Sequence, residues 1–82
     1  MRLLSEKEFA KFVRSHRLHA NMTQDDLAQA VGKSRRWVHA LETGKVDPSL
    51  SAALSVAATL GYIVSIEHDE PSSVLDQLFE GL

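Results

Sequence analysis

Two adjacent arginines follow a serine in Ser34-Arg35-Arg36-Trp37, and the chain's recognition chemistry is concentrated there. Each guanidinium is a planar fork of N–H donors that stays charged at any physiological pH. It can grip two acceptors at once, on a carboxylate, on a phosphate or on the O6 and N7 edge of guanine. His39 follows one helical turn later, Lys33 and Lys45 flank the segment, and Thr23 and Gln24 precede it with hydroxyl and amide donors. The set is rich in donors and poor in catalytic groups. The chain has no cysteine, which excludes disulfides and cysteine-based zinc sites. It also has no glycine-rich phosphate loop and no HExxH. His16 and His19, three apart, bring only two nitrogens, a poor metal site. The expectation is a protein that is not an enzyme and holds no metal or cofactor.

Short helices must position these groups. Leu4-Ser5-Glu6-Lys7-Glu8-Phe9 opens the first: Ser5 can cap the N–H of Glu8, Glu8 can reach back, and Leu4 with Phe9 forms a hydrophobic staple. Phe9, Phe12, Val13 and His16 share one face, with Lys7, Lys11 and Arg14 off it and Asn21 as the stop. The pattern then repeats. Thr23 with Asp26 makes a capping box, Met22 and Leu27 a staple, and Leu27, Ala28 and Val31 a buried stripe that ends at Gly32. Ser34 caps a third helix within two residues; Val38 and Leu41 face inward and Gly44 ends it. Two short helices joined by about three residues containing Gly are the signature of a helix-turn-helix, with the small Ala28 suited to their close approach.

In that arrangement the second helix lies in the major groove with its N-terminal residues against base edges. Arg35 and Arg36 are therefore the candidate base readers, and His39 reaches a base or a phosphate. Thr23, Gln24, Lys33, Ser34 and Lys45 are candidate contacts to the phosphate backbone. The competing reading makes the arginines a solvated, salt-bridged face. Trp37 fits either core packing or a DNA contact.

Asp47-Pro48-Ser49 breaks the chain and begins a fourth helix whose apolar members are Leu50, Leu54, Ala57, Ala58 and Leu60, closed by Gly61. Tyr62-Ile63-Val64-Ser65-Ile66-Glu67-His68 is β-branched, aromatic and alternating, and reads as a strand. It is the one strand in the sequence, and a lone strand leaves a row of backbone groups unpaired. A second copy paired antiparallel about a two-fold axis satisfies them, which makes Tyr62, Ile63, Val64 and Ile66 dimerisation residues. The alternative is an irregular edge packed on the fourth helix. After the turn at Asp69-Glu70-Pro71-Ser72, a cap at Ser73 starts a short amphipathic tail in which Leu75, Leu78 and Phe79 can anchor on a partner or on the protein's own dimer.

The chain's 82 residues make one small domain, whose limited core favours an oligomer. With 44% apolar residues it is a globular composition, and no apolar run approaches the ~18 residues of a membrane span. The N-terminus turns charged too soon for a signal peptide, so a cytoplasmic protein is expected. The net charge of −2 hides an asymmetry. Residues 1–46 carry all nine Lys and Arg against five acids, leaving +4, whereas residues 47–82 carry six acids and no Lys or Arg, leaving −6. A basic half can meet an anionic polymer that an acidic half repels, and the acidic half suits a basic protein partner.

The run from Thr23-Gln24 through Leu27-Ala28 and Val31-Gly32 to Ser34 and Leu41-Glu42-Thr43-Gly44-Lys45 closely resembles the phage Cro/repressor-type (XRE) helix-turn-helix family, over residues 5–61 with flanking helices. The resemblance implies an all-α, five-helix, lambda-repressor-like bundle. It also implies that Gln24, Arg35 and Arg36 contact double-stranded DNA and that Glu42 is a structural acid near the end of the reading helix. Gly61-Tyr62-Ile63-Val64-Ser65-Ile66 after the fourth helix looks like the HipB-type antitoxins, in which such a strand builds an intersubunit sheet. That group represses its own operon and binds a HipA-type kinase toxin. The expected organisation is a DNA-binding region at 1–61 and a dimerisation strand with an acidic tail at 62–82, in one compact homodimeric unit. The expected function is a repressor on a palindromic operator that serves as an antitoxin. The alternatives are a stand-alone repressor and a protein-interaction module using the same shape.

Overall fold

A computed structural model describes residues 5–65. They form four helices: α1 (Glu6–His19), α2 (Gln24–Val31), α3 (Arg35–Glu42) and α4 (Leu50–Thr59). Each helix starts on a hydroxyl that accepts a backbone N–H from its first turn. Ser5 accepts from Glu8, Thr23 from Asp26, Ser34 from Trp37 and Ser49 from Ala52. The staple partner Leu4 lies outside the described residues.

The helix ends share one bond pattern. At the turn between α2 and α3, Gly32 sits at φ 69° and its N–H bonds the Gln29 carbonyl, while Lys33 N–H bonds Ala28 at 2.9 Å. This 6→1 and 5→2 pair is a Schellman closure, and it needs a residue at positive φ. The same pair of bonds closes α1 around Asn21, at φ 56°, and recurs at Gly44 and Gly61.

Phe12 and Val13 of α1, Leu27 and Ala28 of α2, Val38 and Leu41 of α3 and Val56 of α4 form the buried core. Phe9, Met22, Val31, Trp37, Val46 and Leu60 pack partly buried around it, which makes Trp37 a packing residue. Leu27, Val38 and Val56 have no measurable exposure, so the helix-turn-helix is sealed from behind by α4.

The C-terminal part departs from expectation in three respects. Leu50 and Leu54 are 72% and 42% exposed, and Ala58 is exposed too. α4 buries the expected Ala57 together with Ala52 and Val56: small residues let its backbone approach α2 closely, and Leu50 and Leu54 fall on the outer face. There are also four helices among the described residues rather than five, and the tail with Leu75, Leu78 and Phe79 lies outside them. Finally, no strand forms over residues 62–65. The Tyr62 N–H is taken by the Ala57 carbonyl at 2.9 Å in closing α4. A ladder also needs a neighbouring strand, which nothing among the described residues offers; Ile66 lies outside them. The Tyr62 ring meets Phe12 edge-on at 5.0 Å and His16 at 4.7 Å, which ties the end of α4 back to α1.

Candidate nucleic-acid interface

Val38, Leu41 and Glu42 form the buried edge of α3, and the hydrophobic positions repeat so cleanly that the opposite side is fixed as the outer one. Arg35 and Arg36 are exposed in the first turn, and His39, three and four residues on, is exposed above them. Among the described residues, no carboxylate lies within ion-pair distance of either arginine. The first turn of α3 carries no acid, unlike those of α1 and α2. Its orphan N–H groups and the helix dipole therefore add positive potential to two guanidinium groups, an arrangement that attracts anions.

The other expected contacts surround this face. Thr23 and Ser34 are exposed N-caps. Capping uses a lone pair of each hydroxyl oxygen; it leaves the Ser34 O–H proton available to a phosphate, whereas the Thr23 hydroxyl is also engaged by the Asp26 carboxylate. Lys45 is exposed just beyond the end of α3. Lys33 lies with its ammonium 5.4 Å from the centroid of the Trp37 ring, a cation–π contact that holds the charge beside the turn. Gln24 is half-buried and points inward: its amide nitrogen is 3.4 Å from Glu42 Oε1 and 3.5 Å from His39 Nδ1. At Asp26, the Thr23 N–H donates to the carboxylate at 2.9 Å, and this bond, with that to the Thr23 side chain, holds its pKa below the usual carboxylate value of 3.8.

One functional residue escaped the sequence reading. Arg17 is 7% exposed and forms a two-pronged ion pair with Glu42, Nε to Oε2 at 2.7 Å and a terminal N–H to Oε1 at 3.0 Å. Its other terminal nitrogen donates to the Met22 carbonyl at 2.8 Å. One side chain thus joins the end of α1, the turn into α2 and the end of α3, and sets the angle at which α3 is presented. The bonds to Glu42 hold the guanidinium proton more tightly than usual, outweighing the opposing effect of burial. The signal was available: a structural acid on α3 needs a cation, and Arg17 lies one turn beyond Val13 on the buried face of α1.

Residues 8–62 match the model of a helix-turn-helix domain family. The chain is 40% identical over 65 residues to an HTH-type transcriptional regulator of Methanothermobacter thermautotrophicus, covering 79% of this chain and 88% of the relative. It is 49% identical over 41 residues to another from Methanocaldococcus jannaschii, covering 50% and 62% of the two chains. The crystal structure of the clp gene regulator ClgR from Corynebacterium glutamicum superposes with a TM-score of 0.69 at 26% identity, covering 98% of this chain and 74% of that one. The chain belongs to the helix-turn-helix domain family of DNA-binding regulators.

Proposed function

We propose that this protein is a transcriptional repressor that reads a palindromic operator as a two-fold homodimer. The observation that carries the reading is the pair Arg35 and Arg36, exposed on the first turn of α3 with no carboxylate of the described residues against them. The two arginines read guanine edges, His39 adds a further contact, and Thr23, Ser34, Lys33 and Lys45 hold the phosphates. Regulation is supported by the names of the archaeal relatives and of ClgR. The dimer is supported by the apolar run after α4: Tyr62, Ile63 and Val64 are 44%, 94% and 46% exposed, and packing against a second copy would take that area out of water. No helix among the described residues is long and apolar enough to cross a membrane, and an operator-bound repressor works in the cytoplasm.

A second role rests on the resemblance of residues 61–66 to the HipB group and on the acid excess of residues 47–82: neutralising a basic, HipA-type kinase toxin. Toxicity of a neighbouring gene's product, relieved by co-expression of this chain, supports that role, and unrelieved toxicity removes it.

Selection of bound DNA from a random pool tests the main reading. The expected product is an inverted repeat with half-sites ~34 Å apart or a multiple of it, bound with a steep salt dependence. Recovery of unenriched sequence, or binding indifferent to salt, overturns it. Light scattering should give two copies at micromolar concentration and one for Ile63→Lys.

A further inference from the structure

The polar chain running inward from the base-reading face has a direction. Glu42, gripped by two N–H groups of Arg17, can only accept hydrogen bonds. The Gln24 group facing it must therefore be the NH2 end of the amide, and the nitrogen stands 3.4 Å from Glu42 Oε1. The same nitrogen lies 3.5 Å from His39 Nδ1. An amide NH2 has two protons and no usable lone pair, so the ring nitrogen opposite it must be the acceptor. The imidazole proton then sits on Nε2, which has no partner among the described residues.

We propose that Gln24 is a positioning residue for base recognition: with Glu42 behind it, it holds the His39 ring with Nδ1 toward the amide and Nε2–H offered to the groove. His39 then reads an acceptor, such as a purine N7, guanine O6 or thymine O4, and discriminates against the amino group of cytosine. A ring protonated at Nδ1 would set an N–H against the amide NH2. This assigns Gln24 a different task from the phosphate contact expected of it, and it rests on the operator-reading function proposed above.

The test compares the full chain with Gln24→Met, His39→Ala and the double variant, all by random-pool selection. Gln24→Met keeps the length of the side chain and removes its donor. Each single variant is expected to lose roughly two- to ten-fold in preference, the worth of one hydrogen bond, at one and the same base pair of each half-site. The double variant should lose no more than His39→Ala alone. Long-range proton–nitrogen NMR of the free wild-type protein should place the His39 proton on Nε2, and this readout needs no DNA. A proton on Nδ1 overturns the proposal. So do losses that fall on different base pairs or add in the double variant, and so does a Gln24→Met effect spread evenly over all sequences, which is the mark of a phosphate contact. If the wild type enriches no sequence, the operator-reading function fails instead.

Discussion

The two ends of the helix-turn-helix domain are finished to different degrees. Where α1, α2 and α3 meet, a buried Arg17 is satisfied by Glu42 and the Met22 carbonyl, and no buried side-chain polar atom among the described residues lacks a partner. At α4 and the residues after it the surface is apolar and open, with Leu50, Leu54, Ile63 and Val64 all substantially exposed. In the first region every buried side-chain polar atom is satisfied within the chain, which favours one fixed arrangement. The second leaves apolar area in water, which the proposed dimer would remove. Presentation of the arginines is thus built within one chain, whereas in the proposed dimer the spacing between two reading helices would be left to assembly.

The sharpest way to break that contrast is to open the closed region. Arg17→Ala leaves Glu42 buried and unpaired, and a broken buried pair costs about 3–5 kcal/mol, a large part of the stability of so small a domain. The expected result is a large fall in melting temperature, followed by circular dichroism, with loss of DNA binding below it. Replacing both partners, as Arg17→Met with Glu42→Leu, should recover most of the stability, because no charge is then left alone. A single Arg17→Ala variant as stable as wild type would show that the pair does not hold α3.

Next in size come the outward groups. Arg35→Ala should cost about 1–3 kcal/mol of specific binding and relax preference at one base pair, with stability unchanged. Lys45→Ala should weaken binding to all sequences alike and lower the slope of log affinity against log salt by about one. Anisotropy titrations at several salt concentrations separate the two behaviours. Equal losses on specific and random DNA in Arg35→Ala would remove that arginine from base reading.

Much of this was legible before any coordinates. The caps Ser5, Thr23 and Ser34 and the ends at Asn21, Gly32, Gly44 and Gly61 depend on one or two residues each, and local chemistry of that kind is written in the chain itself. The outward placement of Arg35 and Arg36 followed from the spacing of Val38 and Leu41. The Arg17 pair was not legible in the same way, since its partners are 25 residues apart and an arginine among Lys11 and Arg14 looks like surface. On α4 the expectation holds for Ala57 and fails for Leu50 and Leu54, which outweigh Ala52 in hydrophobicity, whereas close helix approach selects for small side chains. The run 62–65 has strand composition, but a ladder depends on a neighbour.

The turn between α2 and α3 gives a smaller effect. Nothing lies within 4 Å of where a Cβ at Gly32 would stand, so Gly32→Ala meets no clash and its cost is that of the backbone alone at φ 69°. A left-handed residue with a Cβ costs roughly 1–2 kcal/mol, which urea unfolding resolves. A larger loss accompanied by weaker DNA binding would mean that the turn moves α3, and that the fixed arrangement of this region depends on the Schellman closure as well as on Arg17.

The smallest effect is one of pH. Asp26 is fully exposed, yet the Thr23 N–H and hydroxyl bonded to it hold its pKa below the unfolded value. A carboxyl group that releases its proton more readily when folded favours folding wherever it is ionised. That contribution is complete above the unfolded value of 3.8 and is lost as pH falls through the lower, folded value. Asp26→Asn keeps the size of the side chain and cannot titrate, so the variant should be less stable than wild type at neutral pH and converge with it in acid. Denaturation curves at pH 7 and near pH 3 distinguish the outcomes. A difference that stays constant between the two would mean that the capping box acts through its shape alone, independently of the charge at the start of α2.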